Sequence, residues 1–103
     1  MFNASRYIII IMIRTFRCKH TEALYEGGSP RQFRAFLAQA QRKLEMLDAA
    51  RVFEDLRDPP GNRLEKLTGD REGQWSIRVN GQWRVCFEWH DSHAWNVEII
   101  DYH

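Results

Sequence analysis

The sequence predicts an α+β fold in which a small antiparallel β-sheet packs on N-terminal helices. Three observations carry this. Apolar residues recur at three- and four-residue steps from Phe33 to Leu47, as one buried helix face requires. Beyond Gly73 the period changes to alternation, with Trp75, Ile77 and Val79, then Trp83, Val85, Phe87 and Trp89, on one side of their strands. The parity of those strands leaves Ser76, Arg78, Arg84, Cys86 and Glu88 on the opposite face, so the helices are expected to cover one side of the sheet only. A chain of 103 residues, 44% of them hydrophobic, has material for one core, so residues 1–103 are expected to form a single domain.

The β-branched run from Tyr7 to Phe16 reads as a buried strand, and Met12 within it is a second candidate start, which makes residues 1–11 a candidate N-terminal extension. The apolar run Tyr7 to Ile13 is far shorter than the ~20 residues a membrane-spanning helix needs. Arg14, Arg17 and Lys19 follow it without a small-residue cleavage site, so a secretory signal fits poorly and a cytoplasmic protein is expected. Thr21 to Glu26 reads as a short helical turn stopped by Gly27-Gly28. Ser29-Pro30-Arg31-Gln32 predicts a helix start, with Ser29 as N-cap, Pro30 at the first helical position and Gln32 completing a capping box. Phe33, Phe36, Leu37, Ala40, Leu44 and Leu47 form its core stripe. A second short helix, about Ala49 to Leu56, is expected to present Val52, Phe53 and Leu56 before Pro59-Pro60 ends it.

If Trp83 lies on the same face as Val79, an odd number of residues joins their strands, which predicts an Asn80-Gly81-Gln82 loop with a bulge. Ser76, Arg78, Arg84, Cys86 and Glu88 then share the opposite face. A turn at Asp91-Ser92 leads into a last strand whose Trp95, Val97 and Ile99 continue the apolar face, while Asn96, Glu98 and Tyr102 join Arg84. Helices are expected to cover one face and any chemistry to use the other. On this parity all four tryptophans belong to the core, which argues against a base-stacking role.

A net charge of +1 conceals segregation: residues 1–44 carry eight basic and two acidic side chains, residues 87–103 four acidic and no basic ones. The basic N-terminal portion, with Arg31, Arg34, Arg42 and Lys43, is a candidate surface for RNA or an acidic partner; solvated helix faces give the same counts. Cys18 and Cys86 lack C-x-x-C spacing. His90 and His93 have H-x-x-H spacing but flank a turn and bring no third ligand, so no metal site and no cofactor is expected.

Leu67, Gly69-Asp70-Arg71-Glu72-Gly73, Trp75-Ser76-Ile77, Val79-Asn80, Trp83-Arg84, Phe87 and the closing Asp101-Tyr102-His103 make the stretch from Met12 to His103 resemble the HigB-type toxins of bacterial toxin–antitoxin systems, within the RelE/ParE superfamily. Pro59 to Glu65 and Asn96 to Ile99 look closest to its GraT-like members. The resemblance implies the RelE-like, microbial-RNase-like fold, and a ribosome-dependent, metal-independent endoribonuclease that cleaves mRNA in the A site and inhibits translation. It also implies a HigA-like helix-turn-helix antitoxin as partner in a toxin–antitoxin hetero-oligomer. A ParE-like toxin that binds a protein target such as DNA gyrase without catalysis is the alternative.

Metal-free RNA cleavage needs a base at the 2′-hydroxyl, a cation for the charge growing on the phosphate and an acid for the departing 5′-oxygen. His103 suits acid or base work, since its ordinary pKa lies near 6.5. Arg84, matching the family's W-R motif, is the candidate phosphate clamp, with a cross-strand pair to Glu88 or Glu98 as its structural alternative. Tyr102 is placed to stack a base or orient the ribose, and Asp101 to orient His103 or an arginine. Arg63, Lys66, Arg71 and Arg78 are the candidate RNA-binding cations. Better-known HigB members carry histidine and lysine where this chain has Glu65 and Thr68, neither of which does the same job unchanged; the departure allows a weakened enzyme, and Lys66 or Arg63 are the candidates to fill that space.

Overall fold

The structure, a computed structural model, describes residues 13–102. The candidate extension 1–11, most of the expected first strand and His103 lie outside the described residues. Two α-helices, α1 (Lys19–Tyr25) and α2 (Leu37–Ala49), precede a four-stranded sheet of β1 (Glu65–Lys66), β2 (Trp75–Arg78), β3 (Trp83–His90) and β4 (His93–Asp101). The strands run β1-β2-β3-β4 across the sheet, each antiparallel to its neighbour. Ile13 and Phe16 form isolated parallel bridges to Ala94 and Val97, so the described end of the predicted first strand covers the outer edge of β4.

The core fills the space between helices and sheet. Phe33, Leu44 and Leu47 meet Ile77, Val85, Phe87, Val97 and Ile99, all buried, as the helical stripe and the strand alternation require. Trp83 is clasped by the rings of Phe33 and Phe36, at centroid distances of 5.8 and 5.0 Å. Phe53 does the same for Trp75 and Trp89, at 4.7 and 5.8 Å.

Three expectations are corrected. The Ser29 capping box does not form: Pro30, with ψ 140°, stays extended and becomes the N-cap of a 3-10 segment, Arg31–Phe36, with no side-chain cap. Phe36 at φ −136° then separates that segment from α2. The irregular start seats both phenylalanines, three residues apart, on Trp83, because residues i and i+3 eclipse in a 3-10 helix. The second helix is shorter than expected, a 3-10 segment Phe53–Arg57, with Leu56 buried and Val52 exposed. Asp55 Oδ2 holds this start by accepting from the Arg51 and Val52 amides at 2.9 and 3.3 Å.

The third correction concerns β4. Cys86 pairs with Glu98 but Glu88 pairs with Trp95, so Asn96 and Val97 together oppose Phe87. Asn96 sits at φ 53°, and this bulge moves every residue before it to the other face. Ala94 is therefore buried in the core, while Trp95 leaves it and stacks on His90 at 4.7 Å and 12°. The other three tryptophans do pack against the core.

The β2–β3 connection matches the parity argument. Val79 and Asn80 both donate to the Trp83 carbonyl, at 2.9 and 3.2 Å, across the three-residue loop. Asn80 Oδ1 closes the loop by accepting from the Gln82 and Trp83 amides.

Candidate active site

The sheet face turned away from α2 gathers the expected polar residues. Register across the strands places Glu65 beside Ser76, Ser76 beside Cys86 and Cys86 beside Glu98, with Arg78 beside Arg84 in the next row. Residues directly opposite one another share a face, so these side chains form one surface.

Arg84 is its anchor. The side chain is only 8% exposed and lies in the middle of the sheet. Nε donates to Ser76 Oγ at 2.6 Å, and Nη2 donates to the carbonyls of Arg63 at 2.6 Å and Ser76 at 3.3 Å. All three acceptors are neutral. Among the described residues Arg84 forms no ion pair, because the carboxylates proposed as cross-strand partners are engaged elsewhere. Glu98 accepts from Arg71 Nη1 at 3.2 Å, and Glu88 accepts from Asn96 Nδ2 at 2.9 Å. The guanidinium charge is thus solvated by oxygens without being neutralised, the arrangement that leaves a buried cation able to attract an anion.

Tyr102 follows the last strand, and its amide donates to the Gln82 carbonyl at 2.7 Å. Its half-exposed ring lies under the Arg84 guanidinium, 5.4 Å from Cζ to centroid, within reach of a cation–π contact. The Tyr102 hydroxyl donates to Glu65 Oε1 at 3.1 Å. That carboxylate, through its hydrogen bond, raises the phenol pKa above its ordinary value, with a smaller contribution from burial. Asp101 Oδ2 accepts from Gln82 Nε2 at 2.8 Å.

The candidate RNA-contacting cations divide. Arg78 lies directly opposite Arg84 on the same face. Arg63 contributes its carbonyl to Arg84 from a left-handed backbone (φ 44°, ψ 56°), and its side chain is exposed. Arg71 is half-buried and tied to Gln74 Oε1 and Glu98 Oε1, so it braces the loop rather than standing open to a ligand. Lys66 pairs with Trp75, whose face is the core side, so Glu65 and not Lys66 projects toward Arg84.

Glu65, Ser76 and Asn62 are the residues that sequence reasoning missed. Glu65 stood out only as a departure from the family pattern; its one-residue offset from Lys66 decides which of the two reaches the site. Asn62 is wholly buried beneath the turn that carries Arg63. Its Nδ2 donates to the Leu56 carbonyl at 3.2 Å and its Oδ1 accepts from Lys43 Nζ at 2.6 Å. Nothing in the local pattern marks a polar residue in a Pro-Gly turn as buried.

Comparison with known proteins agrees with the geometry. The family described as the RelE-like toxin of type II toxin–antitoxin system HigB matches residues 14–103. Toxin HigB-1 of Vibrio cholerae is 58% identical over 58 residues, which span 56% of this chain and 61% of that protein. Endoribonuclease HigB of Proteus vulgaris is 32% identical over 96 residues, covering 89% of this chain and 100% of that protein. The YoeB-YefM complex from Staphylococcus aureus shares the fold at a TM-score of 0.54 and 15% identity, over 90% of this chain and 97% of that chain. The chain belongs to the HigB-like family of RelE-like toxins of type II toxin–antitoxin systems.

Proposed function

We propose that the protein is an endoribonuclease toxin that cleaves mRNA in the ribosomal A site, without a metal, and is held in check by a HigA-like helix-turn-helix antitoxin in the cytoplasm. The observation that carries this reading is the un-neutralised Arg84 guanidinium, buried on one sheet face with Tyr102 and Glu65 beside it. The relative named as an endoribonuclease, aligned along its whole length, supports the same chemistry.

In the proposed reaction the ribose 2′-oxygen attacks the adjacent phosphorus and the bond to the 5′-oxygen breaks. A cyclic phosphate and a free 5′-hydroxyl result. Arg84 stabilises the charge that grows on the phosphate oxygens. Glu65 accepts the 2′-hydroxyl proton, and His103 returns a proton to the departing oxygen. Tyr102 orients the ribose or stacks on a base, Asp101 orients His103 or an arginine, and Arg63 and Arg78 track the backbone. Glu65 thereby takes the place that histidine holds in better-known relatives.

A translation reaction assayed for cut messenger tests this. Replacing Arg84 by alanine leaves the apolar side of β3 intact and is expected to slow cleavage by about two to three orders of magnitude. Deleting His103 should slow it separately. Full growth arrest by the Arg84→Ala/His103-deleted protein, with no cut messenger from it or from the parent, would overturn the reading in favour of a toxin that acts by binding a protein such as gyrase.

A further inference from the structure

Arg84 does not hold itself in place. Its guanidinium has five N–H donors, and three hydrogen bonds tie Nε and Nη2 to Ser76 Oγ, the Ser76 carbonyl and the Arg63 carbonyl. Among the described residues no hydrogen bond engages Nη1, so this edge of the fork is left for an anion. The supports are themselves supported. Ser76 is fully buried in β2. The Arg63 carbonyl faces inward because that residue is held left-handed, a backbone unfavourable for a non-glycine residue that needs bracing from its surroundings. The brace is Asn62, the preceding residue in the chain, pinned to Leu56 and to Lys43 on α2.

We propose that Ser76 and the Asn62-braced carbonyl of Arg63 are positioning groups that fix the Arg84 guanidinium in one orientation beside Tyr102, with Nη1 left free of protein partners, so that it meets the reacting phosphate without first having to be ordered. This rests on the clamp assigned to Arg84 above. A flexible arginine would bind the same anion but lose orientation in doing so, and misplacement by about 1 Å costs about a hundredfold in rate. Ser76 touches no substrate on this account; it acts through Arg84 alone.

The test is Ser76→Ala, with Ser76→Cys as a second variant that keeps the volume and offers only a poor acceptor. Two readouts are taken on the full chain. In nitrogen-15 spectra the Arg84 Nε–H, assigned by its loss in Arg84→Ala, should exchange slowly with water in the parent and at least tenfold faster in either variant. In the translation assay both variants should lower the single-turnover cleavage rate about ten- to a hundredfold, with ribosome binding and thermal midpoint little changed. Unchanged Nε–H protection, or parental cleavage by both Ser76 variants while Arg84→Ala is inactive, overturns the positioning role and leaves the clamp standing. Parental cleavage by Arg84→Ala overturns the clamp itself, and the positioning role with it.

Discussion

A buried guanidinium without a carboxylate is tolerated only when neutral oxygens replace its water, and Arg84 has three such bonds. The Glu65–Tyr102 pair beside it shows how one neighbour can serve two purposes. The carboxylate accepts from the phenol, which favours the protonated tyrosine and raises its pKa. The stabilisation is present below the ordinary pKa of 10.0 and is lost as pH rises through the elevated folded value. Glu65→Gln keeps an acceptor oxygen but removes the charge. Tyr102 should then ionise closer to 10.0, read from its carbon-13 ring shift against pH. Cleavage should fall by about two orders of magnitude if Glu65 is the base, and a variant cleaving at the parental rate would deny it that role. The family resemblance pointed to Arg84 and Tyr102, and strand parity put both on the polar face. Glu65 escaped because a two-residue strand has no period from which to assign its face.

The elements were legible where a period ran unbroken, and misread where one residue reset it. Helix α2 and strands β2 and β3 follow their apolar spacing. In β4 the single left-handed Asn96 reverses the alternation, so a simple count along the strand puts Trp95 on the wrong side. Asparagine tolerates this backbone better than most residues, and here its Nδ2 also reaches Glu88. Asn96→Ala should therefore be less stable than Asn96→Gly by about 1 kcal/mol in urea titrations, reversing the usual preference for alanine over glycine in a strand. Equal stabilities would mean that the bulge is not under backbone control. The Ser29 start was misread for a related reason: the motif was present, but extended Pro30 moved the boundary on by one residue. Ser29→Ala should consequently shift stability by less than about 0.5 kcal/mol, whereas a working N-cap is worth about 1 kcal/mol.

Taken as a molecule, the sheet has helices on one side and, on the other, a thinner cover made by the loop through Gly69–Arg71. The apolar stripe from Phe33 to Leu47 foretells the helical layer, since it has to be buried. It does not foretell the cover, which is held by polar contacts without a repeating pattern: the Arg71–Glu98 ion pair and the Arg71–Gln74 bond. Its effect shows in Cys86, which sits on the polar face yet is wholly enclosed. Burial pushes its thiol up from 9.0 to about 11, and the charge of Glu98 adds to this against Arg71 and Arg84. A folded state that keeps this proton longer than the unfolded chain is favoured below pH 9.0 and loses that advantage as pH climbs to about 11. The half-buried Tyr25 phenol, raised by desolvation and by Asp48, and the Tyr102 phenol act in the same direction above 10.0. Unfolding free energy under reducing conditions should accordingly be level up to pH 9 and then decline, with one retained proton contributing at most about 1.4 kcal/mol per pH unit. Cys86→Ala should start from lower stability, because a packed thiol is lost, but show a shallower decline between pH 9 and 10. Alkylation at pH 8 gives an independent reading: partly exposed Cys18 should react with iodoacetamide well before Cys86. Labelling of both thiols at equal rates would mean that the loop does not close over the sheet in solution.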